Sequence, residues 1–319
     1  MNGEFDLIAR YFARPAPAGV TGVGDDCALF GVAPGCQVAT STDLLIEGRH
    51  FFSNVDPRSL GHKALAVNLS DLAAMGAKPL GCLLGLSLPS VDHGWLQPFA
   101  EGFHALARRW GCPLIGGDTT RSTTGIAISV TVFGQVEADK ALLRSAALPG
   151  DDIWISGTLG AADVALRMLQ GSLPTDEPLL KAVRTALELP EPPMELAQGL
   201  AGLAHAALDI SDGLAQDLGH ILEASGCGAL LRYADLPCDP ALQGLDPDLV
   251  RQAVLAGGDV YQLCFTAPIE RRAAIEALAG EARVRVTRVG EIQAGAGLKV
   301  VDAQGVRIPL EAVGFDHFS

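Results

Sequence analysis

The chain has 319 residues, 49% of them hydrophobic, enough to build a sizeable core and, by length, two domains. With 23 Lys and Arg against 37 Asp and Glu, the formal net charge is −14, which excludes nonspecific electrostatic binding to DNA or RNA as its role. The seven cysteines are odd in number and include no C-x-x-C pair, so free thiols in a reducing cytoplasm are expected rather than a disulfide framework.

The first residues, M-N-G-E-F-D-L-I-A-R, carry Glu4 and Asp6 where a secretory signal would be basic and then apolar. Q-V-A-T-S-T-D, 37 to 43, reads as a strand ending in polar residues. The Ala- and Leu-rich stretch 62 to 76 reads as a helix stopped at Gly76, with Pro79 beyond. C-L-L-G-L-S-L, 82 to 88, reads as a short apolar strand; the uncharged run around it is too short and too broken by Pro and Gly to span a bilayer. Helical periodicity returns over 95 to 110, with Gly111 as the stop, and 126 to 136 is β-rich. Residues 138 to 152 read as a connecting segment, which puts the domain boundary near Pro149 and the domains at 1–149 and 150–319. I-W-I-S-G-T-L-G-A-A-D-V then reads as strand, glycine turn and helix, the usual opening of an α/β domain. Helices are expected at 178 to 188, 193 to 205 and 214 to 225, and strands at 261 to 266 and 284 to 289.

Along this frame, aspartates recur beside apolar runs, with Gly, Ser or Thr next to them. Asp25 and Asp26 follow G-V-G, Asp43 ends V-A-T-S-T-D, Asp71 lies in N-L-S-D-L, Asp118 follows L-I-G-G, and Asp209 and Asp212 bracket I-S. Taken singly, each is best read as a helix cap or turn former. Taken together, a convergent set would be repulsive without cations, and all-oxygen donors suit a hard divalent ion such as Mg²⁺, held with substrate phosphates. Bound metal charge would make the adjacent Asp25 and Asp26 tolerable. L-I-G-G-D-T-T can bring backbone N–H groups close to an anion, I-S-G-T-L-G-A-A offers a glycine turn at a helix start, and Arg144 is a candidate phosphate clamp. No G-x-x-x-x-G-K-[ST], H-R-D or D-F-G is present, so neither a P-loop nor a protein-kinase site is expected.

The ordered set of motifs resembles the thiamine-monophosphate kinase family, within the superfamily of aminoimidazole ribonucleotide synthetase and selenophosphate synthetase. The matches are G-E-F-D-L-I-A-R-Y-F, G-V-G-D-D-C-A-L, S-T-D-L-L-I-E-G-R-H-F, K-A-L-A-V-N-L-S-D-L-A-A-M-G-A, L-I-G-G-D-T-T, L-D-I-S-D-G-L and G-F-D-H-F, almost end to end. The resemblance implies an α/β (α+β) chain whose N-terminal mixed sheet joins that of a second copy into a barrel. It also implies a C-terminal α/β sandwich domain that closes the cleft. It implies Mg²⁺-dependent transfer of a phosphoryl group from ATP to thiamine phosphate in a cytoplasmic homodimer, with no covalent nucleophile on the protein. By position it assigns metal to Asp26, Ser41, Thr42, Asp43, Asp71, Asp118, Asp209 and Asp212, ATP to Gly117, Asp118, Arg144 and Ser211, and the acceptor substrate to His50, Asp259 and Phe315. One stretch departs: the family's G-G-E-D-Y-E-L is G-G-D-V-Y-Q-L at 257 to 263, so a shorter Asp259 replaces Glu, and Val260 and Gln262 replace acids. This departure puts acceptor affinity in question and leaves open another ATP-dependent synthetase of the superfamily. A nonenzymatic cation-binding dimer is the remaining alternative.

Overall fold

The computed structural model describes residues 4–24, 27–310 and 314–315. They form two compact units, Met1–Leu72 with Ala77–Asp139, and Ala73–Gly76 with Lys140–Ser319.

The first unit begins with α1 (Glu4–Leu7) and a π turn at Ile8–Phe12, then runs β1 (Cys36–Ile46), α2 (Pro57–Ala74), β2 (Lys78–Leu88), α3 (His93–Trp110), β3 (Leu114–Arg121) and β4 (Ala127–Glu137). Its sheet has the order β1-β4-β2-β3, antiparallel except for the parallel pair β2 and β3. In β4 every second residue, from Ile128 to Val136, is buried and the residues between are half-exposed, the alternation of a sheet with one face packed. Leu60, Leu65, Leu69 and Leu72 of α2 are buried around most of its circumference, which fits a helix sunk in the core. α3 crosses α2 where Gly61 and Gly102 face the other helix's backbone: a Cβ on Gly61 would collide with the Phe99 carbonyl, and one on Gly102 with that of Arg58. α3 is capped by Asp92, which accepts from Gly94 N at 2.8 Å, and stops at Gly111 with φ 62°, as Gly111 promised.

The second unit runs β5 (Asp152–Ser156), α4 (Ala161–Gln170), α5 (Glu177–Glu188), α6 (Met194–Gly199), β6 (Ala206–Asp209), α7 (Leu214–Ser225), β7 (Gly228–Arg232), α8 (Pro247–Ala256), β8 (Leu263–Ala267), α9 (Arg272–Ala282), β9 (Val286–Gln293), β10 (Gly297–Val301) and β11 (Arg307–Ile308). The mixed sheet has the order β11-β10-β7-β9-β5-β8-β6. β5, β8 and β6, the last three strands in that order, are buried at every position, so both faces of the sheet are covered at that end. One core gathers Ile153, Ile155, Leu208, Leu218 and Val289, and a second lies among Val164, Met168, Val183 and Ala253.

Two expectations change. The helix expected over 193 to 205 ends at Gly199, because the chain turns and enters β6 at Ala206. From Lys140 onward, the segment expected to be a plain connector groups with the second unit: Arg144–Ala146 make a 3-10 turn, the Arg144 carbonyl accepts from Ser225 Oγ at 2.8 Å, and Ala147 N donates to the same hydroxyl at 3.1 Å.

Candidate active site

Strand geometry sorts the S-T-D run of β1. Successive side chains point to opposite faces, so Ser41 and Asp43 share one face and Thr42 takes the other. Ser41 Oγ donates to Asp71 Oδ2 at 2.5 Å. Asp43 N donates at 3.0 Å to Asn68 Oδ1, whose amide donates in turn to Ala64 O at 3.1 Å. Asn68 lies one turn before Asp71 on α2, so both project from one face of that helix. Burial, and then the Asp71 charge, push the Asp43 carboxyl up to about 6. Thr42 Oγ1 donates to Val130 O at 3.0 Å and shares a 2.9 Å hydrogen bond with Thr131 Oγ1, the residue opposite it on β4.

Gly117 and Asp118 lie inside β3, at the far edge of the same sheet, rather than in a loop. The register runs Asp43, Val130, Leu84, Gly117 straight across the strands, so three strand spacings, about 14 Å, separate β1 from β3. Asp118 is exposed and not drawn into the Ser41–Asp43–Asp71 group. Gly117, at φ 151°, cannot be replaced locally, since a Cβ would meet the Leu84 carbonyl. His50 closes the end of β1: its Nδ1 accepts from Ile46 N at 3.0 Å and its own N donates to Ile46 O at 2.9 Å. Asp26 lies outside the described residues.

In the second unit, β6 ends at the buried Asp209, and the chain turns through Ser211, Asp212 and Gly213 into α7. The orphan N–H groups at this helix start are taken by an acid of its own first turn: Asp217 Oδ2 accepts from Asp212 N at 3.1 Å and Gly213 N at 3.0 Å. Burial outweighs these bonds and pushes the Asp217 carboxyl up to about 6, with the Asp212 charge adding to the rise. Gln216 Nε2 donates to Asp212 Oδ2 at 3.3 Å and to Phe315 O at 3.0 Å, and Phe315 N donates to Asp212 O at 3.0 Å. Asp259 is stitched to the same turn, its N donating to Ser211 O at 2.8 Å. Ser211, Asp212, Asp259 and Phe315 are thus brought together. Arg144 is exposed, and its backbone sits at the far end of α7, about 18 Å of helix from Asp212.

The glycine turn before α4 is no open anion seat. Thr158 Oγ1 donates to Asp239 Oδ2 at 2.9 Å, Leu159 bridges to Cys238, and the first turn of α4 holds Asp163, paired with Arg167 at 2.6 Å. The departure at 260 to 262 also has a structural reading. Val260 packs on the core, and Gln262 Oε1 accepts from Ser156 Oγ at 2.7 Å while its Nε2 donates to Glu191 O at 3.1 Å. Asn68, Gln216, Asp217 and Tyr261 are further contributors without a motif of their own; Asn68 and Gln216 carry a usable signal, since they lie three and four residues from Asp71 and Asp212.

Among the described residues, no three His, Cys, Asp or Glu side chains converge tightly enough to hold a metal ion by themselves. The donor chemistry nevertheless fits a hard cation: Asp43 and Asp71 share one face with a serine hydroxyl, and burial, with the Asp71 charge adding to it, raises the Asp43 carboxyl, a cost that a divalent ion would relieve.

Comparison with known proteins extends these observations. Residues 24–136 match the family described as AIR synthase related protein, N-terminal domain, and 148–303 its C-terminal domain. A thiamine-monophosphate kinase of Salmonella typhimurium is 42% identical over 99% of this chain and 98% of its own length. The crystal structure of thiamine-monophosphate kinase from Stenotrophomonas maltophilia superposes with a TM-score of 0.84 at 43% identity, covering 89% of this chain and 92% of that one. A structure of AaThiL complexed with AMPPCP and TMP superposes at 0.78 with 29% identity, covering 90% and 89%.

Proposed function

This chain belongs to the thiamine-monophosphate kinase family of AIR synthase related proteins, and on that premise we propose that it transfers the γ-phosphoryl group of ATP to thiamine phosphate, giving thiamine diphosphate and ADP. The observation that carries the reading is identity of 42% sustained over 99% of the chain, which takes in both acidic clusters. A family relative holding AMPPCP and TMP in one complex supports a site that takes nucleotide and acceptor together.

The attacking atom is a phosphate oxygen of thiamine phosphate, largely anionic at neutral pH because its second pKa is roughly 6. It forms the new bond to the γ-phosphorus in line with the bond to the β,γ-bridging oxygen, which breaks and leaves with ADP. No protein nucleophile or strong base is required. The demand is to hold two mutually repelling anions in alignment. Mg²⁺, when bound, would neutralise phosphate charge. Within the first unit, Asp26, Ser41, Thr42, Asp43, Asp71 and Asp118 are assigned to metal by position in the sequence, and within the second unit Asp209 and Asp212 are. Gly117, Asp118, Arg144 and Ser211 are assigned to ATP; His50, Asp259 and Phe315 are assigned to the acceptor. The link of Phe315 to Asp212 through Gln216 supports placing acceptor and metal residues side by side within the second unit.

The first unit is assigned dimerisation. Val38 and Leu44 on the edge strand β1 are 52% and 57% exposed, an apolar surface suited to joining the sheet of a second copy into a barrel. The cytoplasm is the proposed compartment, supported by seven cysteines that are all free; among the described residues, no helix is long and apolar enough to cross a membrane. The test is ADP release from ATP and Mg²⁺ with and without thiamine phosphate. Release that depends on thiamine phosphate is expected; release that ignores it would overturn the assignment.

A further inference from the structure

Among the described residues, four non-glycine residues have left-handed φ, and two of them, Asp259 at 59° and Tyr261 at 53°, flank a single valine. Arg283 has an ordinary cause, since it caps the end of α9. The Asp259–Tyr261 pair caps no helix. Such conformations persist where the surroundings over-determine them, and they concentrate at ligand clamps.

The surroundings here do so. Asp259 N donates to Ser211 O at 2.8 Å, Tyr261 N to Ile210 O at 2.8 Å, and Ile210 N to Gln262 O at 2.7 Å. The intervening Val260 packs on the core of the second unit. The loop is therefore an extension of the β6–β8 ladder, locked onto the turn that carries Ser211 and Asp212. Within it, the Tyr261 hydroxyl donates to Asp259 Oδ1 at 3.2 Å.

We propose that Tyr261 is a positioning residue for the acceptor: its hydroxyl holds the Asp259 carboxylate in the orientation that meets the polar edge of thiamine phosphate. The inference rests on the reading of Asp259 as an acceptor contact. A free carboxylate on a loop loses rotamer freedom when it binds. One already held by an O–H donor has lost that freedom beforehand, so the bond contributes to acceptor affinity. ATP affinity is unaffected, and kcat changes little.

The test is a double-mutant cycle of Tyr261→Phe and Asp259→Ala, read as KM for thiamine phosphate, KM for ATP and kcat. The phenylalanine keeps the ring, and an unchanged KM for ATP reports that each variant is folded. Tyr261→Phe should raise the thiamine phosphate KM roughly three- to tenfold, as for one neutral donor. Added to Asp259→Ala, it should have no further effect. If Asp259→Ala leaves that KM unchanged, the acceptor role of Asp259 fails and the premise falls with it. If Asp259→Ala raises KM while Tyr261→Phe does not, the positioning role alone is overturned. It is also overturned if the Tyr261→Phe effect persists in the Asp259→Ala background.

Discussion

Gln262 occupies a position where the family carries an acid, and restoring that acid should weaken this protein. Its carboxamide makes two bonds of opposite sense, accepting from Ser156 Oγ at 2.7 Å and donating to Glu191 O at 3.1 Å. Ser156 is fully buried and also accepts from Leu263 N at 2.8 Å, so the network ties β5, β8 and the segment before α6 together. Gln262→Glu keeps the acceptor and removes the donor, leaving a carboxylate oxygen against the Glu191 carbonyl. Loss of the bond with a repulsive contact in its place costs about 1–3 kcal/mol. For a unit of this size that lowers the melting temperature by about 2–10 °C. Thermal unfolding followed by circular dichroism at pH 8 measures it. At pH 4 the protonated glutamic acid can donate to the carbonyl, so the gap should narrow. The thiamine phosphate KM should change far less than the melting temperature. A variant that melts within 1 °C of the parent at pH 8, or whose main defect is acceptor affinity, would refute this reading of Gln262.

Asp71→Asn and Asp212→Asn should each lower turnover by at least about 100-fold with an unchanged circular dichroism spectrum; near-normal turnover in both would remove the basis for cation binding at these clusters. Burial holds the His104 imidazole below its ordinary 6.5, with Nε2 donating to Tyr11 O at 2.9 Å. The unfolded chain therefore takes up this proton first as pH falls. The stability that His104 contributes is full above 6.5 and is lost as pH drops from there towards the folded value. Urea midpoints at pH 8 and pH 5.5 should fall more steeply for the parent than for His104→Gln, and equal slopes would refute it. With γ-labelled ATP and no acceptor, no label should remain on the denatured protein; covalent labelling that thiamine phosphate chases off would contradict direct transfer.

What the sequence revealed followed from local causes. α7 was legible from end to end because Leu214, Leu218, Ile221 and Leu222 recur at helical spacing and Gly226 stops it with φ 64°. α8 was missed although its start is written in D-P-D-L: Asp246 Oδ1 accepts from Asp248 N and Leu249 N, with Pro247 at the first helical position. β3 was harder to see. Two glycines in L-I-G-G-D-T-T signal a loop, and only pairing with β2 makes the segment a strand. The aspartates themselves stood out by their neighbours. Their partners did not, because the contact of Ser41 with Asp71 and the seat of Phe315 beside Asp212 depend on tertiary packing. The Gln262 substitution looked like a lost acid from sequence alone, since nothing local indicates that its amide must donate to a carbonyl in another segment.

The most direct test of the central claim follows the transferred group itself. Purified protein is incubated with γ-labelled ATP, Mg²⁺ and thiamine phosphate, and the products are separated. Label is expected in the terminal phosphate of thiamine diphosphate, in one-to-one ratio with ADP. Label recovered as inorganic phosphate, with thiamine phosphate unconsumed, would contradict it.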